Sequence, residues 1–454
     1  MTRTASPALA PDRVRLVLLV IALAGLALAV WLRLAPIFAD FAFGDGGLFW
    51  VMANDLRDNG FVPPDVTTYN TGDIPWVYPP IGIYLVALLG GGLDLFRFLP
   101  AAWAVATLPA FWLLARALIT ERGALVALVA YGLAAPAYAG LIAGGGVTRG
   151  PGLLLALLTM WATVRGNAVG AGVFGGLTLL THPIAASYAV LASAILWATR
   201  GARPRMLLAI PIALIIGAIW FGPMILRHGI DPFLAGVGSR DLNLTENFLT
   251  LVAGALNPPN LAFTIGIAGA VLAALRHRWD LIAWLVVSVF GFAVVDRWMV
   301  IPLAVLAGYA VDVALQQPRR LGAVALLAVA TATAVTGVAL APPGETLTAS
   351  QRETMAMAKE ASPRDATFAV VGYPADRGMV EWFPALAERV NVTTWQGTEW
   401  LSSGSRRARA TAWAECAVAS CLPTTDFYVV RPGCCPDLAG VMRDVRGGVL
   451  RLGR

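Results

Sequence analysis

Apolar runs of roughly 16 to 22 residues recur from Val14 to Leu340, and each approaches the ~20 residues that carry a helix across ~30 Å of hydrocarbon. The pattern predicts membrane-spanning helices over Val14 to Leu34, Arg97 to Leu118, Ala124 to Ile142, Pro151 to Val164, Ala168 to Leu180, Ile184 to Thr199, Met206 to Ile225, Leu261 to Leu275, Leu281 to Val295, Met299 to Leu315 and Leu321 to Leu340. That is eleven crossings. Pro79 to Leu93 is apolar but short and ends in glycines, so length alone does not decide whether it crosses. Beyond residue 341 the chain turns polar. The breaker cluster Ala341-Pro342-Pro343-Gly344 opens a tail with an amphipathic helix through Met355 to Lys359 and a strand at Thr367 to Gly372. Two units follow: a transmembrane domain over 1–341 and a small α/β domain over 342–454.

Charge settles the short segment. With Pro79 to Leu93 outside the count, Arg116, Arg122, Arg165, Arg200, Arg203, Arg205, Arg276, Arg278, Arg319 and Arg320 all fall on the side of the basic N-terminus. Basic turns belong in the cytoplasm. Pro79 to Leu93 therefore reads as a re-entrant or interfacial helix, and the N-terminus is expected to be cytoplasmic. The first outer loop, residues 37–78, carries six Asp against Arg57 and lies outside, as do the Gly-rich turn Ala143 to Gly150, the Thr181-His182-Pro183 turn, the long loop Arg227 to Asn260, Asp296-Arg297 and the whole tail.

Composition narrows the class. The 454 residues are 58% hydrophobic and 13% charged, with a mean hydropathy of +0.71, which excludes an ordinary soluble protein. The net charge of +6 comes largely from arginines in span-end turns, so nucleic acid is not an expected partner. All four cysteines, Cys416, Cys421, Cys434 and Cys435, lie in the tail, where oxidation is allowed. Disulfides are expected, and strain between adjacent cysteines favours pairs that join Cys416 and Cys421 to the Cys434-Cys435 doublet.

The chemistry gathers on the outer face. Asp45, just after the first span, suits a general base that deprotonates an acceptor hydroxyl while an activated sugar is attacked at its anomeric carbon. The loop carrying it returns at Trp76-Val77-Tyr78-Pro79-Pro80, which brings Tyr78 towards substrate. Arg149 and Arg297 sit at outer helix ends, where a guanidinium can grip a lipid phosphate with two parallel bonds, and His182 can add a hydrogen bond. In the tail, Glu381-Trp382-Phe383-Pro384 and Trp395-Gln396-Gly397-Thr398-Glu399-Trp400 set aromatics beside acids and amides, which makes Trp382 and Trp395 candidates for stacking on sugar rings. No His/Cys spacing suits zinc.

An Asp soon after the first span, a Tyr-Pro-Pro turn closing the first outer loop, a Gly-rich second outer loop and a soluble tail on the same face together resemble the GT-C glycosyltransferases. The resemblance implies an all-α polytopic fold with a small extracytoplasmic α/β domain. It also implies a polyprenyl-phosphate-linked sugar as donor, inverting transfer to a glycan, lipid or protein acceptor on the outer face, and Asp45 as the catalytic carboxylate. The family's usual second acid is replaced here by Gly46, and Thr148-Arg149-Gly150 stands where a metal-dependent branch has paired acids. A divalent metal is therefore not favoured, and no cofactor is expected. The reading is a glycosyltransferase in a prokaryotic plasma membrane, in contact with membrane lipid. Its main rival is a transporter or flippase for a lipid-linked or small solute. That rival predicts charges deep inside spans, whereas most charges here fall at span ends. A non-catalytic assembly protein is a third reading.

Overall fold

The computed structural model describes residues 11–70, 74–90, 92–238, 243–256, 261–292, 296–316, 331, 346–373, 377–401, 405–416, 418–431, 434–435, 438, 442–446 and 448–452. Among the described residues fifteen α-helices precede the tail. They are α1 (Pro11–Phe38), α2 (Gly47–Asp58), α3 (Pro80–Leu88), α4 (Leu95–Leu118), α5 (Glu121–Leu133), α6 (Ala135–Ile142), α7 (Gly146–Val164), α8 (Ala168–Leu179), α9 (Pro183–Thr199), α10 (Ala209–His228), α11 (Asp231–Gly238), α12 (Leu244–Leu256), α13 (Leu261–Leu275), α14 (Trp279–Phe290) and α15 (Asp296–Leu315).

Ten of the eleven expected crossings coincide with apolar helices, within a few residues of the expected bounds except where Ala124 to Ile142 divides into α5 and α6 and where α14 stops at Phe290. Among the described residues five helices are long and apolar enough to cross a membrane, or six if α5 and α6, bent by 50°, form one span. Four more, including α8 and α14, have only 10–17 residues. Twelve residues rise only about 18 Å, well short of ~30 Å of hydrocarbon. The ends are local: Gly166 and Gly201, both with positive φ, follow α7 and α9 in the polar turns Arg165-Gly166-Asn167 and Arg200-Gly201. The span Leu321 to Leu340 lies outside the described residues. Helix α3, at nine residues, is too short to cross by itself. Within the long loop Arg227 to Asn260 the described residues form α11 and α12.

Burial separates lipid-facing from central helices. Along α1 and α10 large apolar side chains stay exposed, among them Leu19, Leu23, Trp31, Leu214, Ile215 and Ile219, the surface a helix shows to hydrocarbon rather than water. Helix α15 is the opposite: Met299 to Leu306 is buried without interruption against α5, α13 and α14.

One charge lies deep inside the bundle. Arg33, on α1, is fully buried. Its guanidinium donates to the carbonyls of Ala104 at 3.1 Å, Ala29 at 3.0 Å and Gly132 at 2.6 Å, and it lies over the rings of Tyr131 and Tyr138. The Gly132 contact has a clear cause. Its regular helical partner would be the N–H of residue 136, which is proline, so the α5–α6 bend leaves a carbonyl that Arg33 caps.

The tail contains helices Ala349–Ala361, Arg377–Leu386 and Ser405–Ala414 around a five-stranded sheet of order β2-β1-β3-β5-β4. Its strands are β1 (Thr367–Val371), β2 (Val390–Asn391), β3 (Phe427–Val430), β4 (Met442–Arg446) and β5 (Val449–Leu452). The first three are parallel, with Phe368 opposite Phe427, and β5 and β4 continue antiparallel. Its disulfides are Cys416–Cys421 and Cys434–Cys435, not the long-range pairs expected. A one-turn helix over Ala419–Cys421 folds Cys421 back to a Cα separation of 5.8 Å from Cys416, within bridging range.

First loop and tail share one core rather than two. Trp76, Tyr69 and Leu48 from the loop pack with Trp382, Phe368 and Phe383 from the tail. The seam is polar at its centre. Fully buried Glu381 accepts from the Tyr69 hydroxyl at 3.2 Å, the Thr394 hydroxyl at 3.3 Å and the N–H groups of Trp395 at 3.3 Å and Gln396 at 3.2 Å. Burial first, and then the negative charges of Asp45 and Glu399, push its carboxyl up to about 8 against these bonds.

Two measurements follow from these buried groups. Arg33→Met leaves the bent-helix carbonyl without a donor and is expected to destabilise the detergent-solubilised protein by about 2–4 kcal/mol, with Arg33→Lys restoring under half. Unchanged unfolding of the Met variant contradicts that role. For Glu381, the folded chain holds a proton between its ordinary value of 4.5 and about 8, which the unfolded chain releases, so stability falls as pH rises through that window. Glu381→Gln removes a slope of up to about 1.4 kcal/mol per pH unit. Parallel melting curves for wild type and the Gln variant across that range refute it.

Candidate active site

The segment Phe43 to Gly47 is clasped between the second outer loop and the tail. Phe43 bridges Ala143 on one side and Thr346 on the other, and the Gly144 N–H donates to the Phe43 carbonyl at 2.8 Å. Trp382 Nε1 donates to the Gly44 carbonyl at 2.9 Å. Backbones meet so closely that a Cβ at Gly144 would strike the Asp45 carbonyl, and one at Gly47 the Glu381 carbonyl. That closeness fixes where the Asp45 side chain points.

Asp45 Oδ1 takes two contacts, from Arg149 Nη2 at 2.5 Å and from the Gly145 N–H at 3.2 Å. Oδ2 takes none among the described residues. Both partners of the ion pair are about a fifth exposed, so the carboxylate faces an opening rather than a sealed interior. Burial alone would raise its pKa. The Arg149 charge and hydrogen bond, the Gly145 N–H and the Arg297 charge outweigh burial and hold it below the ordinary carboxylate value.

Arg149 sits in the first turn of α7 and Arg297 in the first turn of α15. The Arg297 guanidinium lies over Gly140 of α6, where a Cβ would collide with it, and its charge reaches Asp45. Tyr78 is half-buried and packs edge-on against Phe49 and Trp400, with ring centroids 4.8 and 5.6 Å away. Burial, followed by the charge of Glu399, raises its hydroxyl to about 12, so it is a neutral hydrogen-bonding group. The fold thus brings Asp45, Arg149, Arg297 and Tyr78, far apart in sequence, to one place.

The remaining sequence candidates are placed differently. His182 is the N-cap of α9: its Nδ1 accepts the Ala185 N–H at 3.3 Å and its Cβ lies against Gly152. It is 7% exposed, which gives it a structural task. Trp382 is fully buried beneath Gly46, edge-on to Phe41 and Phe96, and offers no open face for a sugar. Half-buried Trp395 ties its N–H to Glu381. Arg33 was not among the sequence candidates, although an Arg flanked by apolar residues near the end of the run Val14 to Leu34 was the signal. Among the described residues no three His, Cys, Asp or Glu side chains converge to hold a metal.

No family model and no characterised protein sequence matches the chain. Solved structures do. ArnT from Cupriavidus metallidurans, bound to undecaprenyl phosphate, matches with a TM-score of 0.58 at 15% identity, covering 98% of each chain. The oligosaccharyltransferase AglB from Archaeoglobus fulgidus, in complex with an inhibitory peptide and a dolichol-phosphate, matches at 0.56 and 14% identity over 82% of this chain and 64% of its own. The arabinofuranosyltransferase AftD from Mycobacteria matches at 0.54 and 18% identity, again over 82% of this chain but only 30% of its own. This chain therefore spans nearly all of ArnT and under two thirds of AglB. All three are glycosyltransferases of one structural superfamily, and the chain has the GT-C glycosyltransferase fold.

Proposed function

We propose that the protein is an inverting glycosyltransferase that moves a sugar from a polyprenyl-phosphate donor to an acceptor on the outer face of the plasma membrane. The observation that carries this is the cluster itself: one carboxylate, Asp45, between two guanidinium groups at the ends of membrane helices. A phosphate at that depth meets Arg297 and Arg149, and an incoming hydroxyl meets Asp45 Oδ2. Lipid phosphates bound to ArnT and AglB support the donor class.

In the proposed reaction the acceptor oxygen forms a bond to the anomeric carbon as the bond from that carbon to the phosphate oxygen breaks. The electron pair leaves on polyprenyl phosphate, where Arg297 and Arg149 offset the developing charge. The acceptor proton passes to Asp45. Attack from the face opposite the leaving group inverts the centre. Two guanidinium groups around one carboxylate are the reverse of a divalent-cation cradle, which favours charge stabilisation by the arginines. On this reading eleven crossings put the N-terminus in the cytoplasm and the tail outside, with Tyr78 and Trp395 bordering the sugar.

Asp45→Asn keeps shape and hydrogen bonding but loses basicity. Turnover is expected to fall about 10²- to 10⁴-fold in a protein that still inserts and melts normally. Transfer within a few-fold of wild type removes Asp45 from the mechanism. Arg297→Ala is expected to raise the apparent KM for polyprenyl-phosphate sugar more than Arg297→Lys does, because charge matters before fork geometry. An unaltered donor dependence in the Ala variant refutes that contact. Arg149→Ala removes the main counter-charge that lowers the Asp45 pKa, so the acidic limb of kcat/KM against pH shifts upwards. A limb that stays in place, or moves down, disproves the coupling.

A further inference from the structure

The tail carries a second concave site that the chemistry at Asp45 does not use. In its sheet, β1 continues to β2 on one side and β3 continues towards β4 and β5 on the other, so the carboxyl ends of β1 and β3 form a topological switch point. Ligands of open α/β sheets bind in the crevice such a point creates. Here a cavity of about 430 Å³ occupies it, within the size range of small-ligand pockets.

The lining has one chemical character. Hydroxyls from Thr348, Ser350 and Thr354 border one wall, the buried side chains of Met379 and Val429 form an apolar wall, and exposed Arg431 stands at the rim. Among the described residues no acidic side chain lines it, which argues against a cation, and a single guanidinium is too little for a polyanion. Thr346, also in the lining, has a buried hydroxyl with no hydrogen-bond partner among the described residues. The rim is anchored: the Arg431 N–H donates to Val371 at 3.1 Å, and the Arg431 carbonyl accepts from Cys434 at 3.2 Å, beside its bridge to Cys435.

We propose that this crevice binds a saccharide unit of the acceptor glycan. The Ser350 hydroxyl, with the hydrogen-bonding capacity left on Thr348, which caps the Gln351 N–H, and on Thr354, which donates to the Ser350 carbonyl, lies beside an apolar wall and matches the hydroxyl edge and C–H face of a sugar ring. Thr346 bridges Phe43, two residues before Asp45, so the lining is joined to the segment that carries the base. A glycan held there presents its free end towards Asp45. The word acceptor rests on the glycosyltransferase reading, whereas the saccharide class rests on the lining alone.

Isothermal titration of the full-length protein in nanodiscs tests it. The probes are neutral trisaccharides of gluco, manno and arabino configuration, the polyprenyl-phosphate sugar, and inorganic phosphate and sulfate as anions. At least one trisaccharide is expected to bind, and Ser350→Trp, which fills the mouth without touching the Thr348 cap, is expected to weaken it more than about 10-fold while melting normally. Thr354→Val is expected to weaken it less. Asp45→Asn is expected to leave trisaccharide binding unchanged, which separates this claim from the proposed reaction. Binding of anions but no trisaccharide, binding indifferent to Ser350→Trp, or displacement of the trisaccharide by the lipid-linked donor overturns the proposal.

Discussion

In the proposed reaction a carboxylate beside a membrane has to be held in place without being neutralised, and the contact between Asp45 and Arg149 meets both demands. The pair forms only because two loops about a hundred residues apart touch backbone to backbone at Gly144 and the Asp45 carbonyl. The tail completes the clasp through Trp382 and Glu381. A side chain larger than hydrogen at Gly144 or Gly47 would part these layers, and the carboxylate would then swing away from both its counter-charge and its opening. The glycines in this part of the sequence are therefore a requirement of the site's geometry.

The pair also restrains the reaction. Arg149 keeps Asp45 ionised and so available, but a carboxylate stabilised in its charged form is a weaker base. If a donor phosphate enters between Arg149 and Arg297, part of the Arg149 charge turns towards it, and Asp45 gains basicity when the donor is in place. The order of binding then follows from electrostatics.

Hydrophobic period and charge bias made most of the architecture legible, because both act locally: apolar runs mark helices and arginine turns mark their ends. Helix bounds were legible to within a few residues, but the break at Pro136 was not, because a proline inside continuous apolar sequence divides the expected run Ala124 to Ile142 into α5 and α6. Asp45, Arg149, Arg297 and Tyr78 could be named as candidates by residue type and position, but their convergence depends on tertiary contacts that no local pattern carries. Trp382 shows the limit in reverse. A Trp among acids reads equally as sugar platform or core, and only its burial beneath Gly46 decides for the core. The disulfides failed for a similar reason: a short turn at Ala419–Cys421 favoured a local bridge over the long-range pairs.

Arg33 bears on the rival transporter reading, since a charge deep within a span is what that reading expects. Its partners argue otherwise. They are backbone carbonyls and aromatic faces, with no acid to pass a proton to and no solvent contact. Its task is to stabilise the bend between α5 and α6. That bend aims α6, whose Gly140 provides the floor on which the Arg297 guanidinium rests, and Arg297 in turn contributes to the field at Asp45. A straight helix would carry Gly140 elsewhere. The buried charge in the first span therefore bears on the Asp45 cluster through helix geometry, by positioning one of its two cations.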